Sequence, residues 1–259
     1  MEELNYKELL DNCNIKKGMT VDLVVDIFNV TKVCWANKKK FDPDHFIDAV
    51  LDYIGEEGTL LIRAFNWDYC HDTPFDIRTT PSKVGALGNV AMKRDDFRRT
   101  KHPLYSWWVK GKYAEELLAN EERTSFGPGS IFDWEYHNPD AVQLNIGNPS
   151  TNGISLFHYV EQKVNVHYRF EKQFTGQYTD YDGNTTTQTY SMFVRDLDYD
   201  TDYNDELYMD DLRKAGFRLE GAYEGIDTQT YIITGLCDLY YEDFSKTGVP
   251  SGVKLTKLN

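Results

Sequence analysis

The 259-residue chain predicts a layered α/β sandwich carrying a β-rich C-terminal lobe or insertion. Three observations predict it. Through the first half, short apolar runs suited to buried strands alternate with stretches of helical periodicity. From about Asn165 the composition turns to Thr, Tyr and Phe, and Asp182-Gly183 separates two strand-like runs there, a hairpin signal. No internal repeat or low-complexity linker divides the chain, so residues 1–259 are expected to form one domain with its lobe at about 165–200.

Taken in order, Glu3–Cys13 places Leu4, Leu9, Leu10 and Cys13 at partly helical spacing. Met19–Val30 is β-branched and apolar, which predicts a buried strand. Asp42-Pro43 reads as a helix start, an Asp cap with Pro at the first helical position. Phe46, Val50, Leu51 and Ile54 then form the apolar face, and Gly55 stops it. Thr59–Phe65 predicts a second core strand, Val84–Asp95 and Tyr113–Leu118 helices, and Ala141–Ile146 a strand leading into a helix that bears His158. In the lobe, Tyr168–Val194 should be the hairpin and the acidic Asp196–Asp205 a solvated loop. Leu207–Ala215 should be a helix closed by Gly216, and Tyr231–Leu236 the last strand.

Composition narrows the function. The formal charge of −14 argues against nucleic acid, whose phosphates need clustered Lys and Arg, while an acidic cleft would steer a cationic amine. No run is long and apolar enough to span a membrane, and M-E-E-L-N-Y lacks a secretion-signal pattern. Four scattered cysteines without C-x-x-C spacing fit a reduced cytoplasm and no zinc ribbon.

The segment T-N-G-I-S-L-F-H-Y-V-E-Q, from Thr151 to Gln162, sets His158 and Glu161 three residues apart at a helix start. Residues at that spacing share a face, so the carboxylate can fix the imidazole tautomer and make a general base. H-x-x-E alone is a weak signal. It gains force from H-P-L-Y-S at 102–106, T-S-F-G-P-G-S at 124–130, T-T-P-S-K-V-G at 79–85 and E-G-T-L-L-I-R-A-F at 57–65. In this order and spacing these tracts resemble the aminoglycoside 3-N-acetyltransferase family over nearly the whole chain.

That resemblance implies acetyl-CoA as co-substrate, no metal, and a small-molecule amine as acceptor: an amino sugar, a nucleotide-linked amino sugar or an aminoglycoside. It makes His158 the base that deprotonates the amine, with Glu161 orienting it. His102, extended because Pro103 follows, would contact substrate or help position the base. A loop at Ser82, Lys83 and Gly85 is expected to meet coenzyme A through backbone N–H groups, against a plain capping role for Ser82. Phe126 and Gly127 would border the same molecule. Ser106 and Ser130 are hydroxyl donors or ordinary turn residues. Where antibiotic-modifying relatives carry a small polar H-S-S set, this chain has Val24-Val25-Asp26-Ile27, so Asp26 is a candidate for a substrate ammonium. Its loop Asn148–Gly153 departs as well. Both departures resemble divergent members linked to amino-sugar modification in surface-polysaccharide synthesis. Trp67 and Tyr69, after a strand end, are candidates to stack on a sugar, whereas Trp107 and Trp108 suit a core. A metal site joining the H-x-x-E pair His158 and Glu161 with His102 and His167 has no supporting spacing. A non-catalytic carbohydrate binder on the same fold is the competing expectation, and a homo-oligomer is left open.

Overall fold

In the computed structural model, residues 1–147 and 154–258 are described. The strand Thr20–Val25 lies at the centre of a seven-stranded sheet, parallel to Ala141–Ile146 on one side and Thr59–Arg63 on the other. Antiparallel strands extend both flanks: Trp107–Gly111 and then Arg98–Arg99 beyond Thr59–Arg63, Ile226–Ile232 and then Arg218–Tyr223 beyond Ala141–Ile146. The central strands are apolar almost throughout because helices cover both faces. Alternation then divides the core in two. Leu60 and Ile62 face one cluster with the helices Ile27–Ala36 and Pro43–Ile54; Leu61 and Trp107 face the other with Ile131–His137, Leu156–Val164 and Ile233–Thr247. The layered α/β sandwich is the architecture found.

Several elements stand where the sequence sets them. Asp42 caps Pro43–Ile54 by accepting from the backbone N–H groups of Asp44 (3.1 Å) and His45 (3.4 Å), and Gly55 closes that helix at φ +71°. Arg169–Thr179 pairs antiparallel with Thr185–Arg195, and Asp180 holds the turn between them by accepting from the N–H groups of Asp182 and Asn184.

Others differ. The expected strand Met19–Val30 breaks at Asp26, which caps the helix Ile27–Ala36 by accepting from Asn29 N at 2.9 Å. Val30 and Cys34, one turn apart, bury the inner face of that helix, so periodicity wins over β-branching. The expected helix Val84–Asp95 shrinks to Leu87–Ala91. The last expected strand, Tyr231–Leu236, is the end of Ile226–Ile232 and the start of the helix Ile233–Thr247. Within Asp196–Asp205, expected to be a loop, Tyr199–Tyr203 forms a strand paired antiparallel with Val253–Lys257. Its alternation of half-buried Tyr199, Thr201 and Tyr203 with exposed Asp200 and Asp202 is a two-residue period, and its partner lies some fifty residues on. No helix among the described residues is long and apolar enough to cross a membrane.

Candidate active site

Leu156–Val164 buries Leu156, Tyr159, Val160 and Glu161, packing on the helices Ile233–Thr247 and Ile131–His137, and presents His158 at the carboxyl ends of Thr20–Val25 and Thr59–Arg63. His158 Nδ1 lies 2.7 Å from Glu161 Oε2. The Glu161 side chain is wholly buried, while about a third of the His158 ring is exposed. With Nδ1 engaged by a carboxylate, Nε2 is the ring nitrogen left for chemistry. Phe126 packs edge-on against the imidazole at 5.5 Å between centroids, and stacks on Phe132 behind it.

His158 lines a cleft of about 610 Å³. One wall is the strand-to-helix junction Val25, Asp26 and Phe28, another the stretch Val84–Gly88, and the floor carries Arg63, Phe65 and Tyr105. Close backbone approach shapes the second wall: a Cβ on Gly88 would stand 2.4 Å from the Arg63 carbonyl oxygen.

Of the sequence-predicted residues, the cleft is lined by His158, Asp26, Trp67 and Gly85. Ser82 and Lys83 do not line it, and their N–H groups have other partners: Ser82 N donates to Asn89 Oδ1 (2.8 Å) and Lys83 N to the Phe65 carbonyl (2.8 Å). Ser82 Oγ accepts from Val84 N at 3.2 Å, so it shapes this turn and caps no helix. The Lys83 ammonium is paired with Asp68 at 2.7 Å. The anion-binding arrangement expected of this loop therefore retains only Gly85 at the cleft.

His102 is also set apart. It is 8% exposed, its Nδ1 accepts from the N–H groups of Leu104 and Tyr105 (both 3.2 Å), and Ser125 Oγ lies 3.4 Å from Nε2. Burial pushes its imidazole down to about 3, so it stays neutral. Tyr69 is 3% exposed and its hydroxyl donates to Gln188 O (2.7 Å), tying the loop after Thr59–Arg63 to the hairpin. Ser106 is fully buried, accepting from Arg99 Nε (2.9 Å) and donating to Ala64 O (3.2 Å). Ser130 caps Ile131–His137 through Asp133 N. Gly127 lines a neighbouring cavity with Gln162 and Glu171. Trp107 and Trp108 are core residues. The loop Asn148–Gly153 lies outside the described residues. Among the described residues, the one grouping of three potential metal ligands is Glu3, Asp42 and His45, which does not include His158.

Sequence reasoning passed over the polar floor beneath the cleft. Arg63, on the carboxyl end of its strand, donates to Asp22 Oδ2 through Nε (2.9 Å) and Nη2 (2.5 Å), and to Gln143 Oε1 (2.6 Å). Trp107 Nε1 donates to Asp22 Oδ1 at 3.2 Å. Parallel pairing sets Asp22 opposite Gln143, so the residues share a sheet face. The signal was present as lone charges inside apolar runs, T-V-D-L-V-V and T-L-L-I-R.

The chain belongs to the aminoglycoside 3-N-acetyltransferase family, whose pattern matches residues 31–236. Membership makes it an acyltransferase by family. No curated protein sequence matches it. Among solved structures, AAC-IIIb in binary complex with CoASH has a TM-score of 0.77 at 16% identity, covering 96% of this chain and 100% of that one. Sisomicin-bound AAC-VIa gives 0.77 at 17%, covering 94% and 98%. The YokD protein from Bacillus subtilis gives 0.73 at 15%, covering 95% of each chain. At these identities the likeness is one of fold.

Proposed function

We propose that the protein transfers the acetyl group of acetyl-CoA directly to a primary amine in a ternary complex, with His158 as general base. The observation that carries this reading is the dyad itself: a cleft-facing imidazole held at 2.7 Å by a fully buried carboxylate. Nε2 takes a proton from the neutral attacking amine as its nitrogen bonds to the thioester carbon. The tetrahedral adduct then collapses, the C–S bond breaks, and the sulfur of CoA leaves as the thiol with the proton that the His158 imidazolium returns. Glu161 stabilises the imidazolium formed on the way.

The cleft fits such a co-substrate. Its volume of about 610 Å³ and largely apolar walls suit a pantetheine arm. AAC-IIIb is a fold relative solved with CoASH. For the acceptor we favour an amino sugar, free or nucleotide-linked, in the cytoplasm. Trp67 offers it a ring and Asp26 a carboxylate for one ammonium. AAC-VIa, by contrast, is solved with sisomicin.

Saturating acetyl-CoA should raise the melting temperature, because a ligand of the folded state adds to its stability. Thiol release should follow addition of an accepted amine. His158→Ala should lose about 10²–10⁴-fold in turnover while keeping the melting shift. Absence of a shift at every pH tried, or a His158→Ala enzyme within a few-fold of the parent, would overturn the reading.

A further inference from the structure

Glu161 is fully buried, yet it lies at the meeting point of four elements. From its own helix His158 Nδ1 engages Oε2. From the start of the lobe the Tyr168 hydroxyl donates to Oε1 at 2.9 Å, and Arg169 Nε stands 2.7 Å from Oε2 as an ion pair. That Nε is off the line of a hydrogen bond, so charge rather than direction is its contribution. From the ribbon strand Tyr199–Tyr203, the Tyr203 hydroxyl donates to Oε1 at 2.9 Å. Tyr208, on the following helix, also feels the charge of this carboxylate. Arg169 is itself steered: its Nη1 donates to Phe193 O (3.2 Å) and its Nη2 to the Tyr203 hydroxyl (3.4 Å).

We propose that Tyr168, Arg169 and Tyr203 are positioning residues for acyl transfer, holding Glu161 fixed and ionised beneath His158. On this view the ribbon formed by Tyr199–Tyr203 and Val253–Lys257 is part of the catalytic apparatus. The inference rests on the reading of His158 as the base. A carboxylate in an apolar interior would by itself be neutral or would rotate among partners. Here two phenols fill the lone pairs of Oε1 and a guanidinium balances the charge at Oε2, leaving one direction open, toward Nδ1. Burial acts to push the Glu161 carboxyl up, but the His158 hydrogen bond and charge, the Arg169 charge and the Tyr168 hydroxyl outweigh it and hold it below the usual range. Burial, reinforced by the Glu161 charge, pushes the Tyr203 phenol up to about 12, so it remains a donor.

Removing a donor or a cation from Glu161 leaves more of its negative charge for the imidazole, which then holds its proton more tightly. Tyr203→Phe and Arg169→Met should therefore move the acid limb of the kcat/KM profile to higher pH. Arg169→Lys should restore most of the parent profile. Glu161→Gln should move the limb the opposite way. The same variants are followed by the His158 imidazole proton shift against pH in the full chain, assigned by its loss in His158→Gln. This titration needs neither acetyl-CoA nor an acceptor. If it moves as stated while no amine is acetylated, the positioning stands and the acetyltransferase reading falls. If Tyr203→Phe and Arg169→Met keep the parent melting temperature and their titrations overlay the parent's, the proposal is overturned. It is equally overturned if Glu161→Gln moves the titration in the same direction as Tyr203→Phe.

Discussion

Replacing His102 by Asn tests whether this histidine is a structural element or a member of the reaction site. Asn is chosen because its side-chain oxygen can take over the hydrogen bonds from Leu104 N and Tyr105 N, which both end on His102 Nδ1 at 3.2 Å. What Asn lacks is a titrating ring. Burial pushes the native imidazole down to about 3, while the unfolded chain takes up a proton near the ordinary histidine value of about 6.5. Between these values the unfolded state binds a proton that the native state refuses, so stability is present above about pH 6.5 and is lost as pH falls. The full gap is worth roughly 5 kcal/mol, and at pH 4.5 roughly 3 kcal/mol of it has gone. Against a typical total of about 5–15 kcal/mol, one histidine should make this protein acid-labile. The assay is urea unfolding followed by tryptophan fluorescence at several pH values, for parent and His102→Asn. Above pH 7 the variant should be the less stable, having lost the ring contact with Tyr190 at 4.9 Å. Toward pH 4.5 the parent should lose roughly 3 kcal/mol relative to it. Parallel curves would refute the buried neutral imidazole. A folded variant with a hundred-fold drop in turnover would return His102 to the chemistry.

Two further substitutions separate the cleft wall from the scaffold. Gly88→Ala puts a Cβ 2.4 Å from the Arg63 backbone oxygen, so the wall must move; a loss of roughly 1–3 kcal/mol and a reduced melting shift with acetyl-CoA are expected, read by thermal unfolding. Asp42→Ala removes the cap of Pro43–Ile54, far from His158 in the chain, and should cost about 1 kcal/mol in urea unfolding while leaving kcat/KM unchanged.

Elements whose cause is local were legible in the chain. Asp42, Pro43 and Gly55 specify a helix within fourteen residues, and Asp182-Gly183 specifies its hairpin without help from the rest of the molecule. The dyad was legible for the same reason, since three residues on a helix fix its geometry. Failures arose where the cause is distant. Tyr199–Tyr203 is a strand because Val253–Lys257 lies beside it, and nothing between Asp196 and Asp205 declares that partner. Asp26 falls inside the expected strand Met19–Val30, although it begins a helix, because Val24, Val25, Ile27 and Val30 favour a strand on propensity alone. Ser82, Lys83 and Ser106 stood in the expected tracts, but which way each N–H or hydroxyl turns depends on Asn89, Phe65, Arg99 and Ala64.

The charge of the chain illustrates the same division between what sums and what is placed. A net charge of −14 does draw cations toward the molecule, because the far field depends on the sum. At physiological salt that field decays within about 8 Å, so it cannot sort one bound amine from another. If the proposed cleft binds the acceptor, sorting falls to its ionisable side chains, which among the described residues are Asp26, Arg63, His158 and the phenol of Tyr105. Arg63 is held by Asp22, and Asp26 already accepts from Asn29 N at 2.9 Å. Much of the acidity lies elsewhere, as in the surface network of Asp44, Asp48 and Asp96 around Arg94. An acceptor with several ammonium groups thus meets one carboxylate at this cleft and gains little over an acceptor with one. On the proposed reading of this cleft, shape and apolar contact with Phe65, Trp67 and Phe28 would be left to decide which amine reaches His158.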